Sequence, residues 1–296
     1  LKLTDMAFLK FKYFAPESVE EACRLLLEIG EGAHVSAGGT DLMVKINRRL
    51  LNPKAVIGLK KIKGLNQIVF RKKEGLTIGA TALLADVASH PQIKKRYPAI
   101  AYAAGETGNV QIRNMGSVAG NLCNAAPSAD NAPTLIAYGA KVTLKSIEGE
   151  RQIPLEHFFR GPGLTALEPG EILAAISVPA PLPNSGASYQ HISARSKVDI
   201  SAVGVGAMIR LIGDSCEEVS IVLGGVAPIP MRAMRAEKHI KGNKLTPKLI
   251  EKAGTLAAKE SKPISDMRAS AEYRRKMVVV LTKRALVEAQ RRAMKS

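Results

Sequence analysis

Apolar and polar positions alternate over residues 8–14, the period of a strand with one buried face. The period then lengthens. Val19, Ala22, Cys23, Leu26 and Ile29 recur at helical spacing. Ser18 followed three residues later by Glu21 is a capping-box signature, and Gly30 stops the run. Residues 34–37 read as a short buried strand and 42–49 as a second helix, with Gly38-Gly39-Thr40-Asp41 between them. Short β-type runs follow at 55–59, 68–70 and 76–80, the last two joined by the charged hairpin loop 71–75. Thr81 is placed to cap a helix over 83–89, which stops at His90-Pro91. Residues 98–104 predict another helix, and 140–145 and 172–178 predict strands.

Prolines at 179, 181 and 183, followed by Asn184-Ser185-Gly186, can continue neither a strand nor a helix, and they mark the clearest boundary in the chain. Beyond it lie β-type runs at 188–194, 201–212 and 219–223, then two helices over 246–260 and 269–293. This predicts a second domain, a small sheet with C-terminal helices. Gly204-Val205-Gly206 falls inside one of those strands. No internal repeat is evident.

The length of 296 residues fits one large domain or two moderate ones, and 46% hydrophobic residues can bury a real core. No apolar run approaches the ~20 residues that span a bilayer, so no membrane insertion is expected. The N-terminal stretch, with Phe8, Phe11 and Phe14 among Lys10, Lys12 and Tyr13, is unlike the apolar segment of a secretory signal. The patterned part begins near Met6. Cys23, Cys123 and Cys216 lie far apart, which points away from a disulfide framework or a metal site in this chain and towards a reducing, cytoplasmic compartment. Cys23 lies on the apolar stripe of the first helix and reads as core.

The net charge of +17 admits nucleic acid, an acidic membrane or an acidic partner. With 4% aromatic residues and no Trp there is little to stack on bases, and no helix-turn-helix, zinc-finger or RNP-type motif is present. No nucleic-acid partner is expected. The charge concentrates near the C-terminus, from Arg274 to Lys295, as a solvated helix face or as a surface docking onto an acidic subunit. The five histidines show no ligand spacing.

Two stretches carry chemistry. Strand, Gly-Gly turn and helix over residues 34–49 is a phosphate-binding layout. Backbone N–H groups at the turn point to one place, and a Cβ there would hold a phosphate away. It is neither a Walker motif nor the Rossmann fingerprint. The second stretch, residues 107–130, is rich in glycine (Gly108, Gly116, Gly120) and in Asn or Asp (Asn109, Asn114, Asn121, Asp130). It reads as a long loop, broken for strand and helix alike, that is either plain surface or a second arm on a ligand.

With these residues in hand, the chain resembles the flavin-binding medium subunit of the molybdenum hydroxylases. That group includes the xanthine dehydrogenase, carbon monoxide dehydrogenase, nicotinate dehydrogenase and 4-hydroxybenzoyl-CoA reductase families. The resemblance runs from the Phe11–Pro16 opening through Ala37-Gly38-Gly39-Thr40-Asp41-Leu42 and Gln111-Ile112-Arg113-Asn114-Met115-Gly116-Ser117-Val118-Ala119-Gly120-Asn121. It continues to Gly170-Glu171-Ile172-Leu173, to 195–199 and to the basic C-terminal helix. It implies an α+β fold: an FAD-binding domain of two α+β subdomains of the PCMH type (6–182, divided near residue 60), then a small α+β domain over 187–296, an antiparallel sheet plus helices.

The resemblance also implies site roles. Val35, Ser36, Ala37, Gly38, Gly39, Thr40, Asp41 and Leu42 would wrap the FAD pyrophosphate. Thr107 and Gly108 would lie against the cofactor, and Ser117, Val118, Gly120 and Asn121 would form the second phosphate- and ribitol-facing loop. Asp130 would accept hydrogen bonds from the adenosine ribose, and Ile172 and Leu173 would pack on the rings. Family members often carry a Lys in the strand before Arg195; here His191 is the nearest candidate for a flavin neighbour. Ala119 replaces a glycine found in many members. The lack of clustered cysteines argues against the 4-hydroxybenzoyl-CoA reductase branch, whose medium subunit carries an extra cluster.

The implied function is an oxidoreductase subunit that needs no catalytic acid, base or nucleophile of its own. A molybdenum cofactor in a large subunit would oxidise the substrate, 2Fe–2S clusters in a small subunit would pass electrons on, and FAD here would deliver them to an external acceptor such as NAD or a quinone. A dimer of heterotrimers is expected. Two other readings are a self-contained FAD oxidase or reductase of the same cofactor fold, and a basic nucleic-acid-binding protein.

Overall fold

The computed structural model describes residues 10–195 and 198–296. The expected strand start at residue 8, the domain start at residue 6 and part of the 195–199 segment lie outside the described residues.

Three sheets organise the chain. The first is parallel, order β1-β3-β2, from β1 (Lys12–Phe14), β2 (Ala33–Ser36) and β3 (Ala55–Gly58). Helix α1 (Val19–Ile29) joins β1 to β2, and α2 (Leu42–Asn47) leads towards β3. Ser18 caps α1 by accepting from Glu21 N at 3.1 Å. Glu21 reaches back to the amide of Glu17, not to that of Ser18, so the expected box closes one residue early.

The second sheet has the order β4-β5-β10-β6-β7, and its pairs are antiparallel. Its strands are β4 (Ile68–Arg71), β5 (Gly75–Gly79), β6 (Lys141–Lys145), β7 (Glu150–Pro154) and β10 (Ile172–Val178). A small hairpin, β8 (Phe159–Gly161) with β9 (Leu164–Thr165), precedes β10. Between β5 and β6 run six short helices: α3 (Leu84–Ser89), α4 (Pro91–Arg96), α5 (Pro98–Glu106), α6 (Val110–Arg113), α7 (Val118–Cys123) and α8 (Asn131–Ala137). A hydrophobic core of Ile57, Ile78, Leu122, Leu135, Leu144 and Ile176 joins these two sheets and their helices.

The third sheet is antiparallel: β11 (Ser185–Ser193), β12 (Ser201–Ile212), β13 (Ser215–Gly224) and β14 (Met231–Arg232). Helices α9 (Met234–Ile240), α10 (Pro247–Glu260) and α11 (Ala271–Ala293) cover one face. Val203, Val205, Ala207 and Ile209 of β12 alternate into that second core. The opposite face of β12 meets α8. A Cβ on Gly206 would lie 2.6 Å from the Pro133 carbonyl oxygen, so the Gly-x-Gly of this strand permits close packing of a helix.

Several expectations are corrected. Thr81 does not cap α3; Leu83 holds that position without a side-chain cap bond. Pro91 ends α3 and also opens α4, because proline is tolerated at the first helical position. Residues 107–130 are not one loop. Asn109 accepts from Ile112 N at 2.8 Å and Ser117 from Gly120 N at 3.0 Å, and these caps nucleate α6 and α7. β7, α8 and α9 were not foreseen. Arg274 belongs neither to a solvated face nor to a docking surface. It is buried and donates to the carbonyls of Ala202 (2.8 Å) and Gly225 (2.7 Å) and to Asp266 (2.7 Å). Among the described residues, no helix is long and apolar enough to cross a membrane.

Candidate functional site

The two glycine loops meet. Gly38 lies so close to the second loop that a Cβ would stand 2.1 Å from Met115 O and 2.7 Å from Gly116 Cα. A Cβ on Gly116 would in turn meet the Thr40 hydroxyl at 3.3 Å. Gly39 takes φ +71°, the left-handed region that turns the chain from β2 into α2. Met43 N bonds to Gly39 O and Lys45 N to Asp41 O, which closes the turn. Among the described residues, the amides of Gly38, Gly39, Thr40, Asp41 and Leu42 find no acceptor. Those of Ser117 and Ala119 likewise find none. Two runs of free donors thus flank one contact.

A cleft of about 400 Å³ opens along this junction. Of the residues proposed from sequence, it is lined by Val35 through Leu42, Thr107, Ser117, Gly120, Asn121, Ile172 and Leu173. Gly108, Val118, Asp130 and His191 do not line it. Gly108 turns behind the loop at φ +58° under the Ile112 side chain. Val118 is buried as core.

Asp130 is buried, and its Oδ1 accepts from the hydroxyls of Tyr189 and Ser201, each at 2.6 Å. Burial pushes its carboxyl up, against these two hydrogen bonds, which lower it. His191 stacks on Tyr189, with Nδ1 3.1 Å from Ser201 Oγ and Nε2 3.5 Å from Glu106. The Asp130–Tyr189–Ser201–His191 group stitches α8 to β11 and β12.

Sequence reading missed the residues that hold the lining in place. Asn131 Nδ2 donates to Thr107 Oγ1 and to Asn121 Oδ1, both at 3.0 Å, while its own Oδ1 is buried without a partner. Asn124 ties the two arms together, donating to Asp41 (3.1 Å) and accepting from Lys45 Nζ (2.8 Å). Arg113 donates to Gly108 O at 2.7 Å and fixes the turn before α6. Glu171, next to Ile172, is held by both Arg151 nitrogens at 2.7 and 2.8 Å. That guanidinium keeps the Glu171 carboxyl below the usual carboxylate range. The signal for Asn131 was its place directly after Asp130; the signal for Arg151 was too weak to find in an edge strand.

The donor set fits FAD. Amides and Lys45 can meet a diphosphate, the acidic side chains at the cleft are tied up by Asn124 and Arg151, and Leu173, Ile172, Ala80 and Leu84 offer an apolar wall for a ring system.

Comparison with known proteins agrees. The family described as FAD binding domain in molybdopterin dehydrogenase matches residues 9–181, and the CO dehydrogenase flavoprotein C-terminal domain matches residues 188–289. The glyceraldehyde dehydrogenase medium chain of Sulfolobus acidocaldarius is 32% identical over 94% of this chain and 98% of its own length. The nicotinate dehydrogenase FAD-subunit of Eubacterium barkeri is 30% identical over 94% and 95%. A solved carbon monoxide dehydrogenase from Hydrogenophaga pseudoflava, in a form lacking the Mo-pyranopterin moiety of its molybdenum cofactor, contains a similar chain. It superposes with TM-score 0.93 at 32% identity, covering 97% of this chain and 99% of that one. The chain therefore belongs to the FAD-binding medium chains of the molybdenum hydroxylases and is an oxidoreductase subunit.

Proposed function

We propose that the chain relays electrons from iron–sulfur clusters in a small subunit to an external acceptor such as NAD or a quinone, while a molybdenum-cofactor subunit oxidises the substrate. The assembly would be a cytoplasmic dimer of heterotrimers. The FAD-binding domain would span 6–182, with subdomains meeting near residue 60, and the C-terminal domain 187–296. The observation that carries this reading is the junction of two glycine loops across Gly38 and Met115, with free amides on both sides.

FAD, when bound, accepts electrons one at a time and releases them in pairs. The protein's part is binding and orientation. The amides of residues 38–42 would take the pyrophosphate, with Thr40 adding a hydroxyl. Ser117, Gly120 and Asn121 would face the second phosphate and the ribitol, and Asn131 would fix the Asn121 and Thr107 side chains from behind. Leu173 and Ile172 would bear on the ring, held by the Glu171–Arg151 pair. Gly108, Val118, Asp130 and His191 would support this lining from the second row.

Native purification with this chain as the handle tests the reading. FAD with molybdenum, iron and two further polypeptides is the expected result. FAD with neither metal, in a lone chain that turns over electron donors unaided, would overturn it in favour of a self-contained flavoenzyme.

A further inference from the structure

A second, larger cavity lies away from the glycine loops, between α4, α8, the linker over 179–183, the start of β11, β12, β13, α9 and the end of α11. Its volume is about 1410 Å³, beyond the ~300–1,000 Å³ typical of small-ligand pockets. Ile136, Met208 and Val219 give it an apolar floor, and exposed Met234 and Leu182, with Pro181, add apolar surface at the rim.

Its walls are basic in an uneven way. The arginines are engaged. Arg210 pairs with Glu218, Arg232 with Glu237, and Arg291 and Arg292 with Glu288, each at 2.6–2.7 Å, while Arg96 lies over the Phe70 ring and donates to Gln92. The lysines are not. Lys95 on α4, Lys238 on α9, Lys241 just after it and Lys295 beyond α11 are exposed, and none has an ion-pair partner among the described residues. Four uncompensated charges thus surround an apolar floor on a chain that already carries +17.

We infer that this groove seats an acidic segment of a partner polypeptide, one that alternates carboxylates with apolar side chains. The inference rests on the reading that the chain works within a complex of several polypeptides. Charge complementarity selects the sign of the partner. The groove's size selects a chain segment over a compact ligand. A phosphate site would offer free guanidinium forks, whereas here four of the five lining guanidiniums are spent on glutamates, the fifth stacks on Phe70, and the cations without an acidic partner that reach furthest into solvent are lysines, mobile point charges spread over three elements.

The test uses the full-length, FAD-loaded chain and a fluorescein-labelled short peptide of alternating Glu and Leu, read by anisotropy. Binding that weakens with salt, and that falls roughly tenfold in the Lys238→Gln/Lys241→Gln/Lys295→Gln variant, is expected. A Lys60→Gln/Lys61→Gln variant, altered outside the groove, should bind like the parent. Retained visible absorbance and an unchanged melting temperature show that the variants are folded and loaded, so failure here is distinct from failure of the flavin reading. Equal binding of a Gln–Leu peptide, equal loss in the control variant, or no binding would overturn the inference. So would inorganic tripolyphosphate that binds more tightly than the peptide and displaces it, since the occupant would then be a small polyanion.

Discussion

Gly38→Ala is the most informative single change. The new methyl would stand 2.1 Å from Met115 O, 2.6 Å from Met115 C and 2.7 Å from Gly116 Cα. An ordinary carbon–oxygen approach is about 3.3 Å or more, so the loops must part by roughly 1 Å. The obstructing atoms are backbone, and no rotamer change relieves them. Overpacking of this kind costs about 1–3 kcal/mol. The same displacement separates the two runs of free amides, so FAD affinity should fall roughly tenfold to hundredfold. Flavin fluorescence quenching on titrating the apo-chain gives the affinity, and thermal melts with and without FAD give the stability. Gly39→Ala is the control. Its methyl has space, with nearest atoms at 3.4 and 3.6 Å, and its cost is the left-handed backbone, about 1–2 kcal/mol. A Gly38→Ala chain with parental FAD affinity and parental melting temperature would refute the interlocked-loop geometry.

Three further outcomes are expected in urea unfolding. Arg151→Gln removes both guanidinium bonds from Glu171 and should cost roughly 1–3 kcal/mol at neutral pH, less than a fully buried pair because Arg151 is partly exposed. The Glu171 carboxyl is depressed in the folded state, so the pair's contribution is present above the ordinary carboxylate value and lost as pH falls through the folded one. The variant and parent should therefore converge in acid. Tyr189→Phe leaves the buried Asp130 carboxylate with one hydroxyl donor fewer, at about 1–3 kcal/mol. Asp130 is raised by burial, so its folded state favours the proton, and this penalty should be largest at neutral pH and shrink as acid protonates the group. Arg274→Leu strands the Ala202 and Gly225 carbonyls and the Asp266 partner, at about 3–5 kcal/mol, and Arg274→Lys should rescue only part, since one ammonium cannot span all three.

The strands and the long helices were legible because each carries its own period: the 201–212 strand and the helix over 269–293 stand within two residues of where alternation and helical spacing put them. Three shorter helices, α2, α3 and α5, were also legible from their flanking glycine or proline signals, but α4, α6, α7, α8 and α9 were not. Four to seven residues hardly display a period, and the existence of such a helix rests on a capping side chain, as at Asn109 and Ser117, or on a proline opening the turn, as at Pro91. In the site, the backbone donors were readable from glycine, since closeness to another chain segment demands it. The supporting contacts were not. Asn131 with Asn121, Asn124 with Asp41, and Arg151 with Glu171 are polar pairs joined only by the tertiary fold, and Tyr189 reaches Asp130 from another sheet.

The packing of α8 against β12 sets a timetable for synthesis. Pro133 leaves the ribosome roughly seventy residues before Gly206, the position it rests on, a delay of roughly 4–15 s at ordinary elongation rates. During that interval Asn131, which fixes Thr107 and Asn121, sits on a helix with one bare flank. The cleft is thus finished from outside, by strands translated last, and flavin loading should follow release of the whole chain. Nascent chains stalled at residue 183 should retain FAD poorly on gel filtration, and full retention there would show that the first two sheets complete the cleft unaided.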